Sequence, residues 1–194
     1  MSSTGSATQF VIKKNTNGTG TLDVKDPVLF NYLMQAMTGR ATDVQLLSID
    51  HNLLPSPFFR KLINEINDVY SANLYTSTWV CLRKLFENLL IEVLRSRYGT
   101  SNINLYYWPE RRRFHDFSVL IENLSQNVSD FTSYTSQFDQ HFFAFINDFK
   151  EQANSTAHSI DIIEDPDIID KMKDLLNQYC NLLCDVIGRI KTAP

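Results

Sequence analysis

The chain has 194 residues, 43% of them hydrophobic and 21% charged, which excludes a disordered tail and gives enough apolar material for one sizeable core. Six Gly and six Pro are too few for a fibrous chain or a turn-rich all-β protein. Eighteen basic against 22 acidic residues give a net charge of −4, which excludes a wholly basic nucleic-acid coat but not a local basic site.

In chain order, residues 1–25 read as an arm. Thr8 to Lys14 is β-like, Asn15 to Gly20 is a turn cluster, and Thr21 to Val24 pairs back as a hairpin. From residue 26 to 194 the punctuation is helical. Asp26-Pro27, Ser56-Pro57 and Asp165-Pro166 each set a capping side chain before a proline, whose missing N–H costs nothing at a helix start. A short helix is expected over 27–38, and Gly39 and Gly99 suit helix C-termini.

Residues 57–72 carry Phe58, Leu62, Ile66 and Val69. Residues 75–97 carry a wide apolar stripe that includes Trp79, Leu82, Phe86, Leu90 and Leu94. Asn102 to Arg113 reads as a loop, aromatic and then basic. Phe114, Phe117, Leu120, Ile121 and Leu124 mark a shorter helix, and Phe138, Phe142, Phe145 and Phe149 step along another. The last helix alternates steps of three and four through Ile169, Met172, Leu176, Tyr179, Leu183, Val186 and Ile190. The fold class is therefore all-α, an up-and-down bundle of about five helices with a short N-terminal β-hairpin-like arm.

Cys81, Cys180 and Cys184 are too few and too odd in number for a disulfide framework. His51, His115, His141 and His158 show no finger-like spacing, so neither a metal nor another cofactor is expected. Met1 to Gln9 hold no basic stretch followed by an apolar one, and no run approaches a membrane span. A soluble, cytoplasmic protein is expected.

Lys150, Asn154 and His158 are spaced i, i+4 and i+8, so they share one face if the helix runs through them. A histidine titrating near neutrality can move protons, and a lysine can neutralise a phosphate, a combination suited to metal-independent RNA cleavage. Helix capping by Asn154 accounts for the same pattern without chemistry. Arg83 and Glu87 are i, i+4 on an amphipathic helix and read as an ion pair, partly buried between Leu82, Leu85 and Phe86. Arg111, Arg112 and Arg113, after Tyr106, Tyr107 and Trp108, offer cations for phosphate and rings for bases. The preferred reading is a solvated basic loop before a helix whose Phe114 and Phe117 pack inward, with the aromatics covering the bundle end. Asp161, Glu164, Asp165, Asp167 and Asp170 suit the positive end of the last helix better than a metal.

Leu54-Pro55, the run Cys81 to Glu87, Tyr98-Gly99 and the run Phe149 to Ser159 resemble the HEPN superfamily of helical domains, over roughly residues 52–190. The nearest branch is the one associated with restriction and abortive-infection proteins. The resemblance implies that Arg83 and Glu87 support the site and that Asn154 and His158 fall on the family's Asn and His. Lys150 stands where the family has arginine, and Ala153 where it has glycine. Lysine keeps the charge but loses the bidentate fork on phosphate, so the resemblance implies a catalytically degenerate, dimerising RNA- or protein-binding subunit of a prokaryotic defence or regulatory system. The competing reading is an endoribonuclease using His158, Lys150 and Asn154. The apolar seam of the last helix and the Phe138–Phe149 face lead us to expect a homodimer or a heteromeric contact.

Overall fold

Proline at N1 opens the first helix of the bundle, Pro57–Ser71 (α1), behind an extended Ser56 at φ −164°. Its Phe59, Leu62, Ile63, Ile66 and Tyr70 recur at helical spacing and are buried. Asn73, at φ 59°, then reverses the chain, a conformation that asparagine tolerates better than most residues. The second helix, Tyr75–Tyr98 (α2), follows at once. It ends on Gly99, whose φ of 54° suits glycine and whose N–H bonds the Arg95 carbonyl at 2.9 Å.

The structure is a computed structural model. It describes residues 10–14, 20–24, 45–158 and 166–193, with side chains over 45–156 and 166–193. Contacts divide the chain into two units, Met1–Asp43 and Val44–Pro194. In the first, Phe10–Lys14 (β1) pairs antiparallel with Gly20–Val24 (β2), Phe10 opposite Val24 and Lys14 opposite Gly20. The expected hairpin is present. The helix expected over 27–38, with Asp26-Pro27 and Gly39, lies outside the described residues.

The second unit is an all-α helical bundle. After α2 come Phe117–Gln126 (α3), Gln140–His158 (α4) and Asp167–Thr192 (α5). α2 packs against each of the other four helices. Its sequence explains that central place: beyond Trp79, Leu82, Phe86, Leu89 and Leu90 on one stripe, Leu85, Ile91, Val93 and Leu94 are also buried. A helix apolar around most of its girth has to be covered on most sides. Phe138, Phe142, Phe145 and Phe149 are all buried, as expected. Phe142 and Phe145 meet Tyr179 of α5 at 5.3 and 4.7 Å between ring centroids, and Phe149 meets Phe86 of α2 at 4.8 Å.

Two features depart from the sequence reading. Asn102 to Arg113 is not a plain loop: a 3-10 turn over Ile103–Leu105 leads into a second small hairpin, in which Tyr107–Trp108 (β3) pairs with Arg113–Phe114 (β4) across a 3-10 turn over Pro109–Arg111. Phe114 therefore belongs to a strand rather than to α3, and it is 44% exposed, whereas Phe117 packs inward. At the last helix, Pro166 is itself the cap and Asp167 the first helical residue. Asp167 and Asp170 lie in the first turn, where negative charge complements the dipole; Asp161, Glu164 and Asp165 lie outside the described residues.

Polar contacts fasten the ends of the bundle. Buried Glu92 accepts Lys191 Nζ at 2.7 Å and also the Arg95 guanidinium, joining α2 to the end of α5. The Tyr70 hydroxyl donates to Asp170, joining α1 to the start of α5, and burial with that carboxylate pushes the phenol far up. No helix among the described residues is long and apolar enough to cross a membrane.

Candidate functional site

α4 runs unbroken to His158, so Lys150, Asn154 and His158 share a helix face. Only the backbone of His158 is described; its side chain lies outside the described residues. Lys150 keeps 16% of its side chain exposed, and its ammonium sits 2.9 Å from Glu151 Oε1. Asn154 is half-buried, and its Oδ1 is buried without a hydrogen-bond partner among the described residues.

Across the helix seam, Arg83 stands on α2 between Trp79 and Phe86. Both of these rings pack on Phe149, the residue before Lys150, at 5.7 and 4.8 Å. Arg83 Nε is buried and, like Asn154 Oδ1, has no hydrogen-bond partner. The third such atom among the described residues is Ser96 Oγ. A buried polar group left unpaired costs about 1–3 kcal/mol, so native proteins keep few of them. Two of the three fall on residues whose sequence spacing already singled them out.

The expected Arg83–Glu87 ion pair does not form within 4 Å among the described residues. Burial pushes the Glu87 carboxyl up, Arg83 pulls it down by less, and the Asp116 carboxylate pushes it further up. Asp116 caps α3 and pairs with Arg113 at 3.2 Å. Its part was not legible in the sequence, because reading Phe114 into the helix hid Asp116 as the capping residue. Arg83 and Glu87 are both half-buried, as expected, but each holds its polar end largely without the other.

This arrangement sets a pH dependence. Glu87 has a folded pKa above its unfolded value, so the native state holds the proton longer and stability falls as pH rises through that window. Glu87→Gln removes the buried charge. Its unfolding free energy is expected to exceed that of the parent at pH 7, by less than about 1 kcal/mol after screening of a partly exposed group. The difference should vanish below the ordinary carboxylate range. A parent more stable than the variant at pH 7 would show that attraction to Arg83 outweighs burial.

Arg111 and Arg112 lie on the exposed turn between β3 and β4 and Arg113 opens β4, and the three are engaged differently. The Arg111 guanidinium lies 4.0 Å from the Trp108 ring centroid, a cation–π contact. Trp108 in turn rests against His115 at 6.0 Å, and His115 Nε2 donates to the Asn104 carbonyl at 2.8 Å. Arg113 is paired with Asp116. Arg112 sits in the left-handed region at φ 51°, exposed, with no side-chain partner among the described residues. Tyr107 meets Phe114 edge-on at 5.5 Å, leaving part of the Phe114 face in water.

Chemically, the seam offers an unfilled donor on Arg83 and an unfilled acceptor on Asn154 between helices, and the hairpin offers cations beside rings. Among the described residues no three metal-ligating side chains converge. Compared with protein-family models, with curated proteins and with solved structures, the chain finds no match.

Proposed function

We propose that this chain is a HEPN-like helical domain that holds single-stranded RNA on its β3–β4 hairpin and does not cleave it, serving as a binding subunit of a prokaryotic defence or regulatory assembly. The observation that carries the reading is the hairpin tip: unpaired Arg112 stands between the Arg111–Trp108 stack and the exposed Phe114. Cations beside aromatic faces are what a single strand requires, with charge for its phosphates and π-surface for its bases. The absence of cleavage in the proposal follows from Lys150. Its ammonium is drawn to Glu151 and its side chain is only 16% exposed, so it is poorly placed to meet a phosphate.

A fluorescent single-stranded RNA of about 20 nucleotides should bind, with log K falling against log salt at a slope near −2 if three phosphates are contacted. Replacing Arg111, Arg112 and Arg113 together by alanine should weaken binding at least about tenfold, roughly 1.4 kcal/mol, and flatten that slope. No binding at low salt, or binding indifferent to the triple substitution, would overturn the RNA reading. Cleavage in the presence of chelator, leaving 2′,3′-cyclic phosphate ends and abolished by His158→Ala, would establish the ribonuclease instead.

A further inference from the structure

A second surface lies away from the hairpin. α4 and α5 flank an open groove of about 540 Å³, whose α5 wall is the row Ile168, Met172, Leu175 and Tyr179. The steps are four, three and four, one residue out of phase with the row that faces the core through Ile169, Leu176 and Leu183. Ile168 is 47% and Leu175 41% exposed, while Tyr179 and, from α4, Phe145 form a buried floor. Large aliphatic side chains left in water along a trough mark a site that something covers.

The rim says what. Asp148 and Glu151 line the α4 side, and the lining holds no lysine or arginine. Asp148 has no ion-pair partner among the described residues, and Glu151 is met only by Lys150. Asp167 and Asp174 are exposed on α5 outside the groove, with Lys171 drawn to Asp167 at 3.7 Å, while Asp170 is taken by Tyr70 of α1. A second copy of the chain would therefore bring carboxylates against carboxylates. A cationic partner gains on the α4 rim.

We infer that the α4–α5 groove receives an amphipathic helix of a partner protein, with an apolar stripe for Ile168, Met172 and Leu175 and Lys or Arg on its flanks for Asp148 and Glu151. The walls are themselves helices with side chains in parallel rows, so a third helix lays its i, i+3, i+4, i+7 positions between them as ridges into grooves. The row from Ile168 to Tyr179 is about 16 Å long, three turns at 1.5 Å per residue. This surface is independent of the RNA reading.

The test uses two synthetic helices of about 18 residues, five turns, with one apolar stripe of leucines and either lysine or glutamate flanks. Titrated against the full-length protein in fluorescence anisotropy, the lysine-flanked helix should bind at least tenfold tighter than the glutamate-flanked one. Asp148→Lys with Glu151→Lys should reverse that order. Ile168→Ser with Leu175→Ser should weaken the lysine-flanked helix at least tenfold with helical circular dichroism unchanged, since both residues are already exposed. Equal binding of the two helices, no binding of either, or insensitivity to both variants would overturn the inference. So would a dimer of the protein alone that Leu175→Ser disperses, since the occupant would then be a second copy.

Discussion

Phe149→Ala should lower the unfolding free energy by about 3–5 kcal/mol, the range for deleting a fully buried phenyl ring. Phe149 has no exposed surface and meets Trp79 and Phe86 of α2, Phe117 of α3 and Phe145 of its own helix, with ring centroids 4.8–6.3 Å apart. Three helices thus meet at one ring, so the cavity left by alanine has rigid walls on every side and collapses poorly. Aromatic pairs add about 0.5–1.5 kcal/mol beyond area, which places the cost toward the upper end. In a chain of this size the midpoint should drop by about 10 °C. Leu175→Ala, at an exposed position, should stay within about 0.5 kcal/mol. Urea melts of both, with an unchanged slope, make the comparison. A cost under about 1 kcal/mol for Phe149→Ala would mean that the surrounding rings close over the gap and that the junction is not the tight centre its contacts describe.

The same junction shows what sequence can and cannot carry. Phe142 to Phe149 was legible because one apolar stripe at helical period has a single explanation, whereas Phe138, a helical step before Phe142, is buried ahead of the helix that starts at Gln140; the stripe of α2 is wide enough to betray its central place. Phe114 misled because it sits three residues before Phe117, a helical step. What ends that apparent helix is backbone conformation, the left-handed Arg112 and the cap at Asp116, to which apolar periodicity is blind. The row Ile168, Met172, Leu175 and Tyr179 has the same period as its neighbour Ile169, Leu176 and Leu183. Periodicity alone cannot say which of two adjacent rows meets water; that depends on how close α4 lies. Arg83, Lys150 and Asn154 were picked out by spacing. That Arg83 Nε and Asn154 Oδ1 go unpaired depends on neighbours from another helix, and no local pattern encodes it.

Least legible of all is the clamp on residues 45–50, whose apolar run is too short to show any period. Leu46, Leu47 and Ile49 are buried there without a strand neighbour among the described residues, and buried peptide groups need partners. Two helical asparagines supply them. Asn67 of α1 accepts from Leu47 N at 2.9 Å and donates to Leu47 O at 2.9 Å, the pair of bonds an adjacent strand would make. Asn177 of α5 donates to Leu46 O at 2.8 Å and accepts from Ser48 N at 2.7 Å.

Asn67→Ala strands both backbone groups of Leu47, a residue only 1% exposed, and should cost about 2–3 kcal/mol. Asn177→Ala should cost less, about 1–2 kcal/mol, because Ser48 is exposed and water can replace the lost acceptor. Both amides grip one short segment, so the double variant should fall short of the sum: once the segment lifts, the second amide has little left to hold. Hydrogen exchange reads this directly. The Leu47 amide in Asn67→Ala should exchange roughly thirty- to hundredfold faster, at 1.36 kcal/mol per factor of ten, while amides in the middle of α2 should speed up only by the global loss in stability. An unchanged Leu47 amide would mean that burial of Leu46, Leu47 and Ile49 holds the segment without the clamp. In that case the two asparagines merely fill bonds that water would fill as well.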